Sequence, residues 1–189
     1  MGHRLCPWWL GYVLASPLRR LLQDPVAIIR PYVEEGMTVL EPGPGMGFFT
    51  LEMARLVGAN GRVVAVDVQP RMIAGLKRRL AKAGLLERAE ARLGHSDSMG
   101  LQDLRGNVDF ALAMAVVHEM PSASRFFAEV AEAMKPGATL LLAEPAGHVP
   151  QSAFDAELRD AAAAGLELIG RPVISRCQAA LLRRPVAAT

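Results

Sequence analysis

Apolar runs that stop at an acidic residue, each followed by a stretch of helical period, recur through this chain. Val39 and Leu40 run into Glu41, and residues 48–57 then carry apolar positions at helical spacing. Val63 to Val66 form an unbroken apolar run that ends at Asp67. Pro70 then stands where a first helical turn tolerates proline, and Gly84 where a helix stops. The pattern predicts strands at 38–41, 62–67, 90–94, 108–114 and 138–143, with helices at 48–57, 70–83, 122–134 and 153–164. Lys135, Pro136 and Gly137 break the helix before the fifth strand. Strands that read as continuous rather than alternating are buried on both faces, which predicts a doubly wound α/β fold with a mostly parallel sheet. The end of the chain differs. Extended stretches at 166–172 and 177–182, joined around Ser175, predict an antiparallel C-terminal hairpin.

Residues 1–35 fall outside this alternation and read as a helical N-terminal arm, with 36–189 as the main domain. A short helix is expected at 17–22. Asp24 followed by Pro25 reads as an N-cap and first helical position, opening a second helix towards Glu34 that Gly36 ends. Trp8, Trp9 and Tyr12 either pack the arm against the domain or form a lid over a substrate pocket. Arg4 precedes an apolar run, and Ala15-Ser16 imitates a signal-peptidase site, so a signal peptide is the alternative to a structured arm. Pro7 interrupts the run and the positive flank is thin. Nothing reaches the about 18 uninterrupted apolar residues of a membrane-spanning helix.

Composition narrows the class without naming it. The 189 residues are 51% hydrophobic and 21% charged, the balance of a globular protein with a sizeable core. A formal net charge of +2 does not point to a nucleic-acid partner. Basic residues do cluster, at Arg71, Lys77, Arg78, Arg79, Lys82, Arg88 and Arg92 and again at Arg171, Arg176, Arg183 and Arg184; solvated faces are the simple reading. Two cysteines, Cys6 and Cys177, with no zinc-like spacing, fit a reduced cytoplasmic protein and no metal site.

The candidate chemistry lies at the strand ends. After Glu41, glycines stand at every second position, Gly43, Gly45 and Gly47, and a helix follows. Glycine lets backbone approach a ligand and adopt positive φ, and a helix start offers unpaired N–H groups to an anion. A tight turn without a ligand is the alternative. The spacing is not the G-x-G-x-x-G of dinucleotide folds. It is E-x-G-x-G-x-G, which resembles motif I of class I S-adenosylmethionine (SAM)-dependent methyltransferases. The alternating elements and terminal hairpin are likewise similar to the seven-stranded sheet of that family, over residues 36–184.

The resemblance implies SAM as cofactor, with Glu41, Gly43, Pro44, Gly45 and Gly47 at its methionine end. Asp67 would accept both ribose hydroxyls, flanked by Val68 and Gln69; alone, Asp67 reads as an N-cap before Pro70. Asp97, with Ser98, would meet the adenine, although residues 94–98 also suit an Asx or Ser turn. The stretch from Val108 to Glu119 resembles the fourth strand of small-molecule methyltransferases. It implies Ala113 and Met114 beside the methionine portion and a structural role for Asp109. His118 is either a general base or a polar residue at the pocket rim.

The fourth strand does not end in Asn/Asp-Pro-Pro-Tyr/Phe, no Pro-Cys nucleophile is present, and Cys6 and Cys177 are not the thiol set expected of arsenite methylation. The expected activity is in-line transfer of the SAM methyl group to a small-molecule acceptor. A sulfonium methyl is already activated, so positioning outweighs any single base. The rivals are a non-catalytic SAM-binding sensor or scaffold and a NAD-binding oxidoreductase.

Overall fold

The computed structural model describes residues 23–95 and 98–186. The segments at 1–22, with the expected first helix, Cys6 and the aromatic cluster, lie outside the described residues, as does Asp97. Seven strands form one sheet, in the spatial order third, second, first, fourth, fifth, seventh, sixth of the chain, as expected for the class I methyltransferase fold. The chain divides into two compact units at Met99 and Gly100.

In the first unit, α1 (Pro25–Ile29) opens as its sequence requires: Asp24 Oδ1 accepts from Val26 N at 2.9 Å and Ala27 N at 3.3 Å. The helix stops at Ile29 rather than near Glu34, because Pro31 has no N–H to donate and its ring opposes the preceding turn. Three parallel strands follow, β1 (Thr38–Pro42), β2 (Arg62–Asp67) and β3 (Ala89–Leu93), with β2 central. Val63, Val64 and Ala65 are all fully buried, the signature of a strand covered on both faces. Helix α2 (Thr50–Leu56) begins after the expected start at 48, since Phe48 and Phe49 belong to the preceding turn. Their rings are buried edge to face, 5.1 Å apart. Helix α3 (Pro70–Ala83) has proline in its first turn and Gly84 as a left-handed C-cap at φ 68°.

The second unit holds β4 (Val108–Met114), α4 (Ala123–Ala133), β5 (Met134–Pro145), α5 (Gln151–Ala163), β6 (Glu167–Gly170) and β7 (Cys177–Arg183). Ser122 caps α4 by accepting from Arg125 N at 3.2 Å. Strand β5 is longer than the expected 138–143. The Lys135-Pro136-Gly137 segment is absorbed as an irregularity, where Val108 pairs with Met134 but Phe110 with Thr139. Proline within a strand is tolerated at such a bulge. Lys135 Nζ meets Asp109 Oδ1 at 2.5 Å, a structural use of Asp109. Strands β4 and β5 are parallel, while β7 runs antiparallel to both β5 and β6. The expected hairpin is present, and it sets Gln178 opposite Glu144.

Candidate functional site

The first unit gathers its candidate residues at the carboxyl ends of β1 and β2. Parallel pairing sets Glu41 beside Ala65 and Pro42 beside Val66, so Glu41 and Asp67 end neighbouring strands. The glycine loop then folds as a succession of positive-φ positions, Gly43 at 66°, Gly45 at 54° and Gly47 at 85°. Gly43 N donates to Val66 O at 2.9 Å, and Gly47 N to Pro44 O at 2.9 Å.

The glycines are not equivalent. A Cβ on Gly47 would stand 2.4 Å from Leu76 and 2.8 Å from Leu51, so this position serves close packing of the loop on α3. Gly75 of α3 answers it, lying where a Cβ would press on Met46 at 2.9 Å. Arg79 of the same helix donates to the Met46 carbonyl. At Gly45, by contrast, a Cβ would meet nothing within 4 Å. The loop is clamped on one side and faces open space at its middle glycine.

Glu41 is buried, and its carboxylate accepts the hydroxyl of Thr50, the buried first residue of α2. This contact ties the two ends of the loop together. Asp67, also buried, is not the N-cap of α3; that position is Gln69. Asp67 Oδ1 accepts from Gln69 N at 2.8 Å, which turns the chain between strand and helix and half-buries Val68 and Gln69 beside it. After β3, His95 N donates to Ser98 O at 2.8 Å.

The second unit holds a polar cluster, at the ends of β4 and β5. Ala113 is fully buried and Met114 half-buried, paired with Leu142 and Ala143. Ala115 then takes φ 56°, a left-handed conformation that costs an alanine roughly 1–2 kcal/mol. The reversal aims two consecutive amides at one carboxylate. Val116 N and Val117 N donate to Glu144 Oε1 at 3.2 and 2.8 Å. The other oxygen, Oε2, accepts from His118 Nδ1 at 2.5 Å. Glu144 is fully buried.

Glu144 therefore orients His118 and holds the proton on Nδ1, leaving Nε2 as the basic nitrogen of the neutral ring. The same hydrogen bond is the main reason that the His118 pKa is raised above 6.5; burial opposes it, and Glu144, Glu119 and Glu157 add charge in its favour. Glu119 Oε1 is 3.9 Å from Nε2, and the His148 ring lies edge to face with the His118 ring at 5.1 Å. Glu157, on α5, is buried; burial first and the Glu144 charge second push its pKa up to about 8.

His118 was visible from sequence; Glu144, Glu157, His148 and Gln178 were not singled out. Glu144 carries the same signal as Glu41, an apolar run ending in Glu-Pro, and could have been read from it.

A methyltransferase-domain model matches residues 33–171. The chain belongs to this family. Its fold is shared with a SAM-dependent methyltransferase from Aquifex aeolicus at a TM-score of 0.84, with 24% identity over 95% of this chain and 100% of that one. A similar protein from Methanococcus maripaludis superposes at 0.78, with 12% identity over 100% and 99% of the two chains. Among curated relatives, an arsenite methyltransferase from Halobacterium salinarum is 32% identical over 58% of this chain and 27% of its own length. A ribosomal protein L11 methyltransferase from Pelotomaculum thermopropionicum is 33% identical over 60% and 34%. The chain thus spans about a quarter to a third of the length of the curated relatives it matches. No helix among the described residues is long and apolar enough to cross a membrane.

The first unit suits the cofactor that the family uses. A loop with open space at Gly45 admits a ligand against backbone, and acidic groups at two neighbouring strand ends suit ammonium and hydroxyl donors.

Proposed function

We propose that this methyltransferase-family chain transfers the methyl group of SAM to a small-molecule acceptor, with His118 as the catalytic base. Glu41, Gly43, Pro44, Gly45 and Gly47 would hold the methionine end of the cofactor. Asp67, Val68 and Gln69 would take the ribose and the adenine edge, with Asp97 and Ser98 beyond them. Ala113 and Met114 keep the role that the family resemblance implies. Bound SAM supplies a methyl group already activated by its sulfonium charge.

The chain's own contribution is orientation and proton handling. The glycine loop is held by its packing on α3, so little ordering remains to be done on binding. In the second unit, Glu144 fixes the tautomer that makes His118 Nε2 a base. An acceptor that must lose a proton, a hydroxyl or an amine, suits such a base. A thiol-bound arsenite acceptor does not follow from Cys177 on β7, which forms no disulfide. A cytoplasmic location and the absence of a nucleic-acid partner are part of the same reading.

The observation that carries the proposal is the loop itself, three positive-φ glycines between the acidic ends of two neighbouring strands, with space beside Gly45. The test is calorimetry with S-adenosylhomocysteine, alongside thermal melts with SAM, S-adenosylhomocysteine and NAD. The adenosyl compounds should stabilise the fold and NAD should not. Asp67→Ala should weaken S-adenosylhomocysteine binding at least about tenfold, which corresponds to about 1.4 kcal/mol. Stabilisation by NAD alone sinks the reading, and unchanged affinity in Asp67→Ala removes Asp67 from the ribose.

A further inference from the structure

Among the described residues of the second unit, two buried polar atoms have no hydrogen-bond partner: Glu157 Oε2 and Gln178 Oε1. Leaving such atoms dry costs about 1–3 kcal/mol each, so each marks a place where something else supplies the donor. Glu157 is only 6% exposed. Gln178 lies opposite Glu144 across the β5–β7 pairing, and its Nε2 donates to Val149 O at 2.7 Å. That bond fixes the amide and leaves Oε1 as the atom in need of a donor. Glu144 and His118 both act electrostatically on Glu157, so these groups form one neighbourhood.

We propose that this cluster is the seat of the methyl acceptor and that the acceptor is a small cationic amine. The inference rests on His118 being the base. A primary ammonium brings three N–H donors and one positive charge. The cluster offers three acceptors, Glu157 Oε2, Gln178 Oε1 and His118 Nε2, among the acids Glu119, Glu144 and Glu157. A hydroxyl brings a single donor and no charge, and a carboxylate would be repelled. One N–H proton passes to His118 Nε2, and its bonding pair remains on nitrogen as a lone pair. The nitrogen–carbon bond forms with that pair as the methyl–sulfur bond breaks, its electrons staying on what becomes a neutral thioether. The proton leaves His118 for water.

The charge of Glu157 couples this binding to pH. Groups facing it are Glu144 from β5, His118 from the turn after β4, and Asp160 on its own helix. On the packed neighbours, Arg125 and Glu129 of α4 pair with each other, Glu132 with Arg105, and Glu167 of β6 with Arg183. Because Glu157 titrates at about 8, an ammonium ion binds its ionised form better and affinity should rise with pH up to that value.

Ligand-observed NMR on the full chain tests this with butylamine, cyclohexylamine and benzylamine against butanol, cyclohexanol and benzyl alcohol. At least one amine should bind in the millimolar range and outcompete its alcohol. Its affinity should climb several-fold per pH unit between pH 6 and 8, with tenfold as the ceiling for each coupled proton, on Glu157 and on His118. Glu157→Gln, which keeps the shape and removes the charge, should flatten that climb to the part His118 carries. Gln178→Leu should weaken the amine several-fold and leave the pH slope intact. Alcohols binding as well as amines, no amine binding in the millimolar range, or an unchanged slope in Glu157→Gln each overturn the proposal. S-adenosylhomocysteine calorimetry on the same samples separates the readings: retained cofactor binding with no amine response removes this inference alone.

Discussion

Two strands of this protein end in the same dipeptide, Glu41-Pro42 on β1 and Glu144-Pro145 on β5, and the two buried carboxylates are used differently. Glu41 accepts the hydroxyl of Thr50, nine residues on, and closes the loop between them. Glu144 accepts from Val116, Val117 and His118, which are 26 to 28 residues away. The first carboxylate shapes a loop from within. The second is a hub: it satisfies two amides and orients a base. The same strand-end signal therefore marks a place where charge is affordable to the fold, and the partners that arrive there decide its use.

The largest consequence concerns stability. Glu144→Ala removes a charged acceptor from two buried amides and an imidazole. Each orphaned group costs about 1–3 kcal/mol, so the loss should reach about 3–5 kcal/mol in urea unfolding at neutral pH. Glu41→Ala should lose less, about 1–3 kcal/mol. An equal or larger loss at Glu41 would break the distinction between loop closure and hub.

A second test reads the hub without unfolding it. The His118 pKa lies above 6.5 chiefly because of the hydrogen bond to Glu144. A histidine raised by its partner contributes stability that is complete below pH 6.5 and is lost as pH rises through its folded value. In Glu144→Gln the main raising cause is gone while burial still lowers the value. NMR titration of the imidazole should find the His118 pKa moved down, and the alkaline loss of stability should shrink with it. An unmoved pKa would assign the rise to Glu119 and Glu157 instead and leave Glu144 a purely structural anchor.

How far sequence reaches follows from the same contrast. The glycine loop was legible because its parts are adjacent along the chain: an apolar run, an acid, alternate glycines and a helix start. Strand β2 and helix α3 appear at their expected bounds, since an all-valine and alanine run and a Pro-to-Gly bracket are local signals. The His118 partnership was not legible. Its carboxylate arrives from the next strand, and Glu157 and Gln178 from α5 and β7, so only the β4–β5 and β5–β7 pairing brings them together. The shortened α1 and lengthened β5 were missed for smaller reasons, a proline at 31 and a bulge that absorbs Pro136.

The smallest expected effect lies where the chain leaves each strand. After β1 the left-handed position is filled by Gly43 at φ 66°, which bears it without steric cost. After β4 it is filled by Ala115 at φ 56°, which does not. The strain is held because the turn it makes delivers Val116 and Val117 to Glu144. Ala115→Gly relieves roughly 1–2 kcal/mol of it but gives back about 0.5–1 kcal/mol through the freer unfolded chain. Stability should therefore rise by up to about 1.5 kcal/mol, a shift of up to about 3–6 °C in melting temperature for a chain of this size. Gly43→Ala should move the other way by a similar amount. If Ala115→Gly destabilises instead, the half-buried methyl group contributes packing that exceeds the strain, and the two strand exits differ in what surrounds them rather than in backbone cost.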